Sequence, residues 1–317
     1  MDALMQSLMA KIKTLSETIW EHRAKEPAIA EWLSNFAPLD QSGLDEQAHA
    51  LFVLSNFMYF GSRQIRELLK ALYRDLYKYP IVESIRRAND HTLDSQLISR
   101  QFREELQRTR FLGVGNPAES GCHLLYYFRQ ENDLPTKLFI HAHQIFTRHG
   151  EQQILDLRDA DVSRYIFIDD FCGSGKQGTK YSRDLVEEVK RLNPRAVVAY
   201  YVLLATVQGI TRIKNDTAFD EARAIYELDI SFKCFSAESR YFRPQVPGID
   251  RGVCEEMCRR YGERMVPAPD VLGFEDSQLL VGFHHNTPDN TLPIIWCDGT
   301  ADAPWSPIFR RYPKLGW

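Results

Sequence analysis

Residues 165–178 are Y-I-F-I-D-D-F-C-G-S-G-K-Q-G, and this stretch is the most informative part of the chain. Its four leading apolar residues predict a buried parallel strand that ends at two carboxylates, Asp169 and Asp170. The small loop Gly173-Ser174-Gly175 follows, and a helical pattern runs from about 179 to 192. Such a loop lies at the carboxyl edge of an open α/β sheet, where glycines and helix-opening N–H groups favour phosphate. The segment therefore predicts a site for a ligand that has a phosphate and either a diol or a metal.

This loop departs from two common nucleotide-binding patterns. A P-loop needs G-x-x-x-x-G-K-[ST], but Gly175-Lys176 is followed by Gln177, and the position five residues before Gly175 is acidic. Residues 173–178 do match the spacing G-x-G-x-x-G, yet the acidic pair would repel the pyrophosphate of a dinucleotide. The pair makes sense if the carboxylates hold ribose hydroxyls or Mg²⁺ while the loop holds a 5′-phosphate. We therefore expect neither NAD nor flavin.

Composition places the chain among ordinary soluble proteins. It has 317 residues, 44% hydrophobic and 26% charged, and a formal net charge of −4, which gives no global nucleic-acid footprint. No stretch approaches the ~18 apolar residues of a membrane span, and the charged, amphipathic first 25 residues are not a secretory signal. We therefore expect a cytoplasmic protein without membrane association.

The six scattered cysteines are typical of reduced intracellular thiols. Cys254 and Cys258 lie one helical turn apart, and Cys234 could join them, but a structural zinc site normally has a second close pair. We expect no zinc, and we interpret Cys172 as a small residue that fills the loop.

Two regions differ in their hydrophobic pattern. Residues 1–105 repeat apolar positions at helical spacing and predict a helical N-terminal domain. Residues 106–317 alternate apolar runs with helical patterns, which predicts βαβ units and a mostly parallel sheet. Right-handed crossovers would bring the 115–121 loop to the same sheet edge as the Ser174 loop. The predicted strands of this region are 111–114, 138–140, 165–168, 196–205, 230–235 and 279–283.

A late polar segment, residues 284–290, follows the last of these strands. Hydrogen-bonding side chains at a sheet edge, here Asn286 to Asn290, suit recognition of a base or sugar. His285 or its neighbour His284 suits general acid/base chemistry near neutral pH. Thr-Pro-Asp-Asn is also strong turn chemistry, so a site and a simple turn both remain open.

The 165–177 segment resembles the ribose-phosphate motif of type I phosphoribosyltransferases. Asp169 and Asp170 match its acidic pair, Ser174 its first Thr and Gly175 the next Gly, whereas Lys176 and Gln177 replace the usual Gly-Thr. The resemblance implies that Gly173–Gln177 bind the 5′-phosphate and that the acidic pair binds ribose or Mg²⁺, with catalysis by positioning and charge stabilisation. By position, the loop with Glu119, Ser120 and Gly121 is similar to the family's pyrophosphate loop.

The whole layout resembles the phosphoribosyltransferase-like conflict effectors of bacterial defence systems, including retron-associated effectors. The resemblance rests on the helical N-terminal region, the loop D-D-F-C-G-S-G-K-Q and the late segment L-G-F-E-D-S-Q-L-L-V-G-F-H-H-N-T-P-D-N-T-L-P-I-I-W. It implies an anti-phage role beside a partner ATPase or a reverse transcriptase with its nucleic acid. Two functions remain open: a transferase or glycosidic-bond hydrolase, and a non-catalytic sensor of a phosphoribosyl or nucleotide ligand. The oligomeric state, monomer or homo-oligomer, is open as well.

Overall fold

The computed structural model describes residues 3–38, 45–115, 120–149 and 154–312. The α-helices are α1 (Ala3–Thr18), α2 (Glu26–Leu33), α3 (Glu46–Ser55), α4 (Ser62–Ala71), α5 (Tyr79–Ala88), α6 (Ser95–Gln107), α7 (Ser120–Glu131), α8 (Lys176–Tyr181), α9 (Glu187–Leu192), α10 (Val207–Asp216), α11 (Arg251–Gly262) and α12 (Pro293–Trp296). The strands are β1 (Met58–Phe60), β2 (Thr109–Gly113), β3 (Phe146–His149), β4 (Ile154–Leu157), β5 (Arg164–Cys172), β6 (Val197–Thr206), β7 (Glu221–Leu228) and β8 (Val281–Phe283). Two π-helices, Leu72–Lys78 and Ser182–Val186, continue α4 into α5 and α8 into α9.

The chain divides into two compact units. Unit 1 combines Met1–Ile65 with Asp229–Trp317, and unit 2 is Arg66–Leu228. Unit 1 is discontinuous because its two segments share one core; for example, the buried Trp32 Nε1 donates to Ile294 O at 2.7 Å. The sequence-based division near residue 105 is not a boundary between these units. Residues 66–105 are helical, as their pattern predicts, but they belong to the unit that contains the parallel sheet.

Unit 2 is built on a parallel sheet. Among the described residues, four strands pair in the order β2-β5-β6-β7, and every neighbouring pair is parallel. β5 and β6 are almost entirely buried, as expected for strands covered on both faces. Helix α7 packs on β2 and β5, and α10 packs on β6 and β7. The structure confirms the predicted α/β fold with a mostly parallel sheet and helices at the N-terminus.

Two predicted strands of the α/β region are wrong. Residues 230–235 begin as a 3₁₀ helix, Ile230–Phe232, and the edge strand is instead β7. This edge strand, E-A-R-A-I-Y-E-L, is only partly buried, and its charged residues limit the apolar run to three residues. Of residues 138–140, Leu138 ends the 3₁₀ helix Thr136–Leu138, and Phe139 forms only an isolated bridge to Phe111.

Unit 1 has a mainly helical and aromatic core. Trp20 packs edge-on against Phe57 and Phe309, and Trp32 packs against Phe36. Strand β1, which interrupts the predicted all-helical region, pairs in parallel with β8. The predicted strand 279–283 therefore exists as β8, but its partner lies in the N-terminal segment and not in the four-stranded sheet.

Candidate functional site

The acidic pair lies within β5 and before its end. The strand runs to Cys172, beyond the end that the apolar run predicts, since Phe171 and Cys172 still pair with β6. Asp169 and Asp170 are 5% and 8% exposed. The two carboxyl groups lie close enough to interact, because the charge of Asp170 acts on Asp169. Their printed hydrogen bonds differ, so each is described separately.

Asp169 is held inside the unit. Its Oδ2 accepts a hydrogen bond from the hydroxyl of Tyr200 at 2.8 Å, and its Oδ1 accepts from the backbone N–H of Asp170 at 3.0 Å. Burial, followed by the negative charge of Asp170, raises the pKa of the Asp169 carboxyl well above its usual value. Burial also raises the pKa of Tyr200, on β6, which the sequence did not single out. The protonated form of Asp169 is therefore favoured, and both of its oxygens already have partners.

Asp170 has a different environment. Its Oδ1 accepts from the backbone N–H of Phe171 at 2.9 Å, a local bond at the end of the strand. Next along the chain, the Cys172 thiol contacts the Tyr200 hydroxyl and the N–H of Gly175, and burial raises the pKa of this thiol to about 12. Cys172 thus fills the base of the loop, as its interpretation predicts, and an un-ionised, 4% exposed thiol is a poor nucleophile.

The carbonyl groups of the 173–175 loop are all bound. Thr206 Oγ1 donates to Gly173 O at 2.6 Å, and Arg212 Nη1 donates to Ser174 O at 2.6 Å. The N–H and Oγ1 of Thr179 both donate to Gly175 O at 3.0 Å. Because the C=O and N–H of a trans peptide point in opposite directions, these bonds turn the N–H groups of residues 174–176 away from Thr206, Arg212 and Thr179.

Two glycines allow this loop conformation. Gly175 has φ +77°, a left-handed conformation that side chains rarely adopt, and it immediately precedes α8. Gly209, in the first turn of α10, lies so close to the loop that a Cβ there would be 2.1 Å from Gly173 O. The backbone of α10 therefore packs directly on the loop. Sequence reasoning missed Thr206, Gly209 and Arg212, although Thr206 directly follows the predicted strand 196–205 and caps α10 by accepting from Gly209 N–H.

The loop after β2 is linked to the helix after β5. The Tyr181 hydroxyl donates to the carbonyl of Gly115, which has φ +102°. Of the residues predicted for a pyrophosphate loop, Glu119 lies outside the described residues, while Ser120 and Gly121 begin α7. The loop after β2 and the segment after β5 are therefore in contact at Gly115, the last described residue before the gap at 116–119.

The 284–290 segment belongs to unit 1 and forms a bonded turn. Asn286 Oδ1 accepts from the backbone N–H groups of Thr287 and Tyr312, at 3.0 and 2.9 Å. Asn290 is buried, and its carbonyl accepts from Leu279 N–H and Ser277 Oγ. The His285 ring stacks on Phe283 with centroids 5.5 Å apart. The turn chemistry of this segment therefore accounts for these contacts.

Metal-binding geometry is limited in the part of the chain that the structure describes. There, no group of three or more His, Cys, Asp or Glu side chains could enclose a metal ion. Cys234, Cys254 and Cys258 are buried free thiols, and burial raises the pKa of each. Asp169 and Asp170 can offer one or two oxygens, which suits Mg²⁺ that keeps waters and binds a ligand phosphate. Within the same residues, no helix has the length and apolar character needed to cross a membrane.

Comparisons with known proteins concern both units. The model of the PRTase-CE family matches residues 29–311. Similar solved structures include the Helicobacter pylori xanthine-guanine-hypoxanthine phosphoribosyltransferase, with 7% identity, a TM-score of 0.29, and 54% of this chain and 89% of that chain covered. The Aeropyrum pernix orotate phosphoribosyltransferase has 12% identity and a TM-score of 0.25, with 51% of this chain and 76% of that chain covered. The Pyrococcus horikoshii purine phosphoribosyltransferase has 14% identity and a TM-score of 0.26, with 54% of this chain and 91% of that chain covered. No curated protein sequence matches this chain significantly.

Proposed function

The chain belongs to the PRTase-CE family, and we propose that unit 2 binds a ligand that carries a ribose 5-phosphate group. The observation that supports this proposal most directly is the 173–175 loop. Thr206, Arg212 and Thr179 hold its three carbonyl groups, and the Gly175 N–H meets the Cys172 thiol, so the Ser174 N–H and the start of a helix are the backbone groups that can face an anion. Lys176, the first residue of α8, adds a positive charge at this point of the loop.

The roles of the other residues follow from their bonds. We assign the phosphate to the backbone of Gly173–Gln177, the Ser174 hydroxyl and the Lys176 ammonium group. We assign the acidic pair, Asp169 and Asp170, to ribose hydroxyls or Mg²⁺. When bound, Mg²⁺ would neutralise phosphate charge beside the carboxylates. Glu119, Ser120 and Gly121 are proposed to receive a pyrophosphate or base, His285 to act as acid or base, and Asn286 and Asn290 to contact the base.

At the cellular level, we propose a phosphoribosyltransferase-like effector of bacterial anti-phage defence that acts in the cytoplasm. Its substrate would be a nucleotide, a nucleobase or RNA. The resemblance of the full layout to conflict effectors supports this role, as does the match to the PRTase-CE family. A protein partner, either an ATPase or a reverse transcriptase with its nucleic acid, belongs to the same proposal.

A second candidate function is a sensor that binds the phosphoribosyl ligand without chemistry and regulates the partner. The replacement of the motif's Gly-Thr by Lys176 and Gln177 favours it. A strongly held cation beside the phosphate suits tight binding, whereas turnover requires product release. Both functions share the binding site, so binding is tested first.

Isothermal titration calorimetry with ribose 5-phosphate tests the binding site, with and without Mg²⁺. The wild type should bind ribose 5-phosphate more tightly than inorganic phosphate or ribose. Lys176→Gln should weaken binding about tenfold, the usual effect of one charge-assisted contact. Lys180→Gln, which removes the same charge one turn later on α8, is the control and should bind normally. Asp170→Asn should abolish the preference for ribose 5-phosphate over inorganic phosphate.

A failure to bind ribose 5-phosphate would contradict the proposal. If the wild type does not bind ribose 5-phosphate at millimolar concentration, with or without Mg²⁺, the binding proposal is wrong.

The choice between enzyme and sensor needs the chain expressed with its neighbouring genes. If Asp169→Asn/Asp170→Asn loses ligand binding but keeps toxicity and phage protection, the enzyme reading fails. If the wild type binds but leaves nucleotide and tRNA pools unchanged, the sensor function is supported.

A further inference from the structure

The Arg212 guanidinium lies beside the 173–175 loop. Arg212 lies on α10, which follows the neighbouring strand β6. The sequence of the loop therefore does not predict this contact. Its Nη1 donates to Ser174 O at 2.6 Å. The side-chain stem runs along the loop as well: a Cβ on Gly175 would lie 3.3 Å from Arg212 Cβ and 3.4 Å from Cδ.

In the described ranges of the chain, no Asp or Glu forms an ion pair with the Arg212 guanidinium. Two residues further on the same helix, Lys214 pairs with Glu227 at 3.7 Å. A guanidinium offers five N–H donors in a rigid fork that fits phosphate, and a single carbonyl occupies only part of it. A guanidinium whose fork is only partly occupied, next to this loop, is suited to contact a bound anion.

Thr206 completes the support for the loop. Its hydroxyl donates to Gly173 O and accepts from Gly209 N–H at 2.9 Å, so one side chain both caps α10 and fixes the first loop carbonyl. Thr206 and Arg212 therefore bind consecutive carbonyl groups from the same neighbouring element. Each peptide unit held in this way directs its N–H to the opposite side.

We propose that Thr206 and Arg212 are positioning residues that hold the 173–175 loop in its anion-binding conformation, and that Arg212 makes the site prefer a dianionic phosphate. The proposal rests on the ribose 5-phosphate site proposed above. It adds a residue pair and a charge preference that the loop motif does not contain. A phosphate monoester changes from monoanion to dianion near pH 6, so the preference is measurable close to neutral pH.

Titratable or charged groups on β5, on the loop and on the surrounding elements must be separated from the ligand. They include Asp169, Asp170 and Cys172 on β5, Lys176 and Lys180 on α8, Tyr200 on β6, Lys214 on α10 and Glu227 on β7. Sulfate remains a dianion throughout the relevant range. A pH dependence that appears with sulfate therefore reports protein groups, and the additional dependence with ribose 5-phosphate reports the phosphate.

The first experiment measures affinity for ribose 5-phosphate and for sulfate between about pH 5.5 and pH 8. In the wild type, ribose 5-phosphate should bind more tightly as the dianion forms. Arg212→Gln should flatten this rise and lower affinity about tenfold at the upper end, and Arg212→Lys should restore part of it. Lys214→Gln removes a cation from the same helix and should behave like the wild type. If Arg212→Gln keeps the wild-type pH profile, the charge preference is refuted.

The second experiment tests the support of the loop without any ligand. Amide hydrogen exchange of residues 173–178 should accelerate at least about threefold in Thr206→Val and Arg212→Gln. Thr206→Ser keeps the hydroxyl and should retain slow exchange. Thr217→Val, which removes a hydroxyl bonded to Ile213 O at the other end of α10, is the matched control. Unchanged exchange in Thr206→Val and Arg212→Gln would refute the positioning role.

The two experiments also separate this proposal from the proposed function. If the wild type fails to bind ribose 5-phosphate, the proposed function and the dianion preference fail together. Hydrogen exchange then still decides whether Thr206 and Arg212 hold the loop. If the wild type binds and both experiments show no effect of the variants, the proposed function stands and the role of Thr206 and Arg212 is refuted.

Discussion

Two polar loops that follow strands, one in each unit, differ in what their backbones offer. In the 173–175 loop of unit 2, side chains from outside the loop bind the carbonyl groups. In the 284–290 segment of unit 1, Asn286 Oδ1 accepts from backbone N–H groups, and Arg311 binds both Thr287 O and Asp289. In the first arrangement the bound carbonyl of Gly173 turns the Ser174 N–H away from Thr206, towards the side proposed for the phosphate, whereas in the second the N–H groups close a turn. We therefore expect a polar loop at the end of a strand to bind an anion only when some of its backbone N–H groups do not close a turn.

The largest expected effect comes from glycines that touch each loop. Gly209→Ala places a Cβ 2.1 Å from Gly173 O, and Gly273→Ala, at φ +94°, places one 2.4 Å from Asn290 O. Each substitution should lower the free energy of unfolding by about 2–4 kcal/mol, because backbone and not a flexible side chain must move. Chemical denaturation measures the loss. Gly252→Ala, where the nearest contact is the Asp250 side chain at 3.2 Å, is the control and should change stability by less than about 1 kcal/mol.

These glycine variants also test the difference in function between the loops. Gly209→Ala should weaken ribose 5-phosphate binding more than tenfold at a temperature where it is still folded, since it displaces the loop carbonyls. Gly273→Ala should retain wild-type affinity despite a similar loss of stability. Equal losses of affinity in both variants would contradict the assignment of the phosphate to unit 2 alone.

Asp169→Asn should change how stability depends on pH. The pKa of Asp169 is raised in the folded protein, so the folded state holds a proton more tightly than the unfolded state does. Its contribution to stability is therefore complete below the unfolded pKa near 3.9 and is lost as pH rises through the folded pKa. Asparagine does not ionise, so we expect the stability of the variant to fall less than that of the wild type as pH rises.

Urea denaturation at several pH values measures this effect, and the exposed Asp184→Asn serves as the control. A variant whose stability falls with pH as steeply as that of the wild type would show that Asp169 is ionised without cost. Such a result would favour an ionised Asp169 that binds ribose or Mg²⁺ directly.

A moderate effect is expected in the turn of unit 1. Arg311→Gln removes bonds of 2.9 Å to Thr287 O and to Asp289 Oδ2, made by a side chain that is 17% exposed. The free energy of unfolding should fall by about 1–2 kcal/mol. Its neighbour Arg310, 68% exposed and 3.6 Å from Asp298, offers a matched control that should lose less than about 0.5 kcal/mol when changed to Gln. If both substitutions had the same effect, the turn would not depend on Arg311.

The smallest effect on stability is expected for His285→Gln. The ring stacks on Phe283 and meets His284 edge-on, and its loss should change stability by no more than about 0.5 kcal/mol. Affinity for ribose 5-phosphate should be unchanged, because the proposed phosphate contacts involve other residues. A lower rate of ribosyl transfer or glycosidic cleavage would support the acid/base role of His285. An unchanged rate would leave only the turn.

The strands differ in how well the sequence predicts them. β5 and β6 have continuous apolar runs because both of their faces are buried, and a periodicity argument finds such strands directly. β7 is a partly exposed edge strand, so its polar positions conceal it. β1 is three residues long and lies among helical patterns, and no periodicity can be read over so short a stretch.

The site shows the same limit. The acidic pair, the Gly-Ser-Gly loop and the helix after it are contiguous in the sequence, so their order alone predicts a phosphate loop at a sheet edge. Tyr200 binds Asp169, and Thr206 and Arg212 bind the loop, from 31 to 38 residues away. Neither their types nor their spacing marks them, because the contact exists only after β6 pairs with β5.

The sequence by itself determined the α/β class, the buried strand with its acidic pair and the place of the 173–175 loop, because these depend on local apolar periodicity and on glycine chemistry. Only the tertiary structure decided that residues 66–105 belong with the sheet, that β8 pairs with β1, and that Asp169 and Asp170 differ. It also decided which residues hold the loop carbonyls. These features depend on which distant segments pack together, and such packing leaves no periodic signal in the chain.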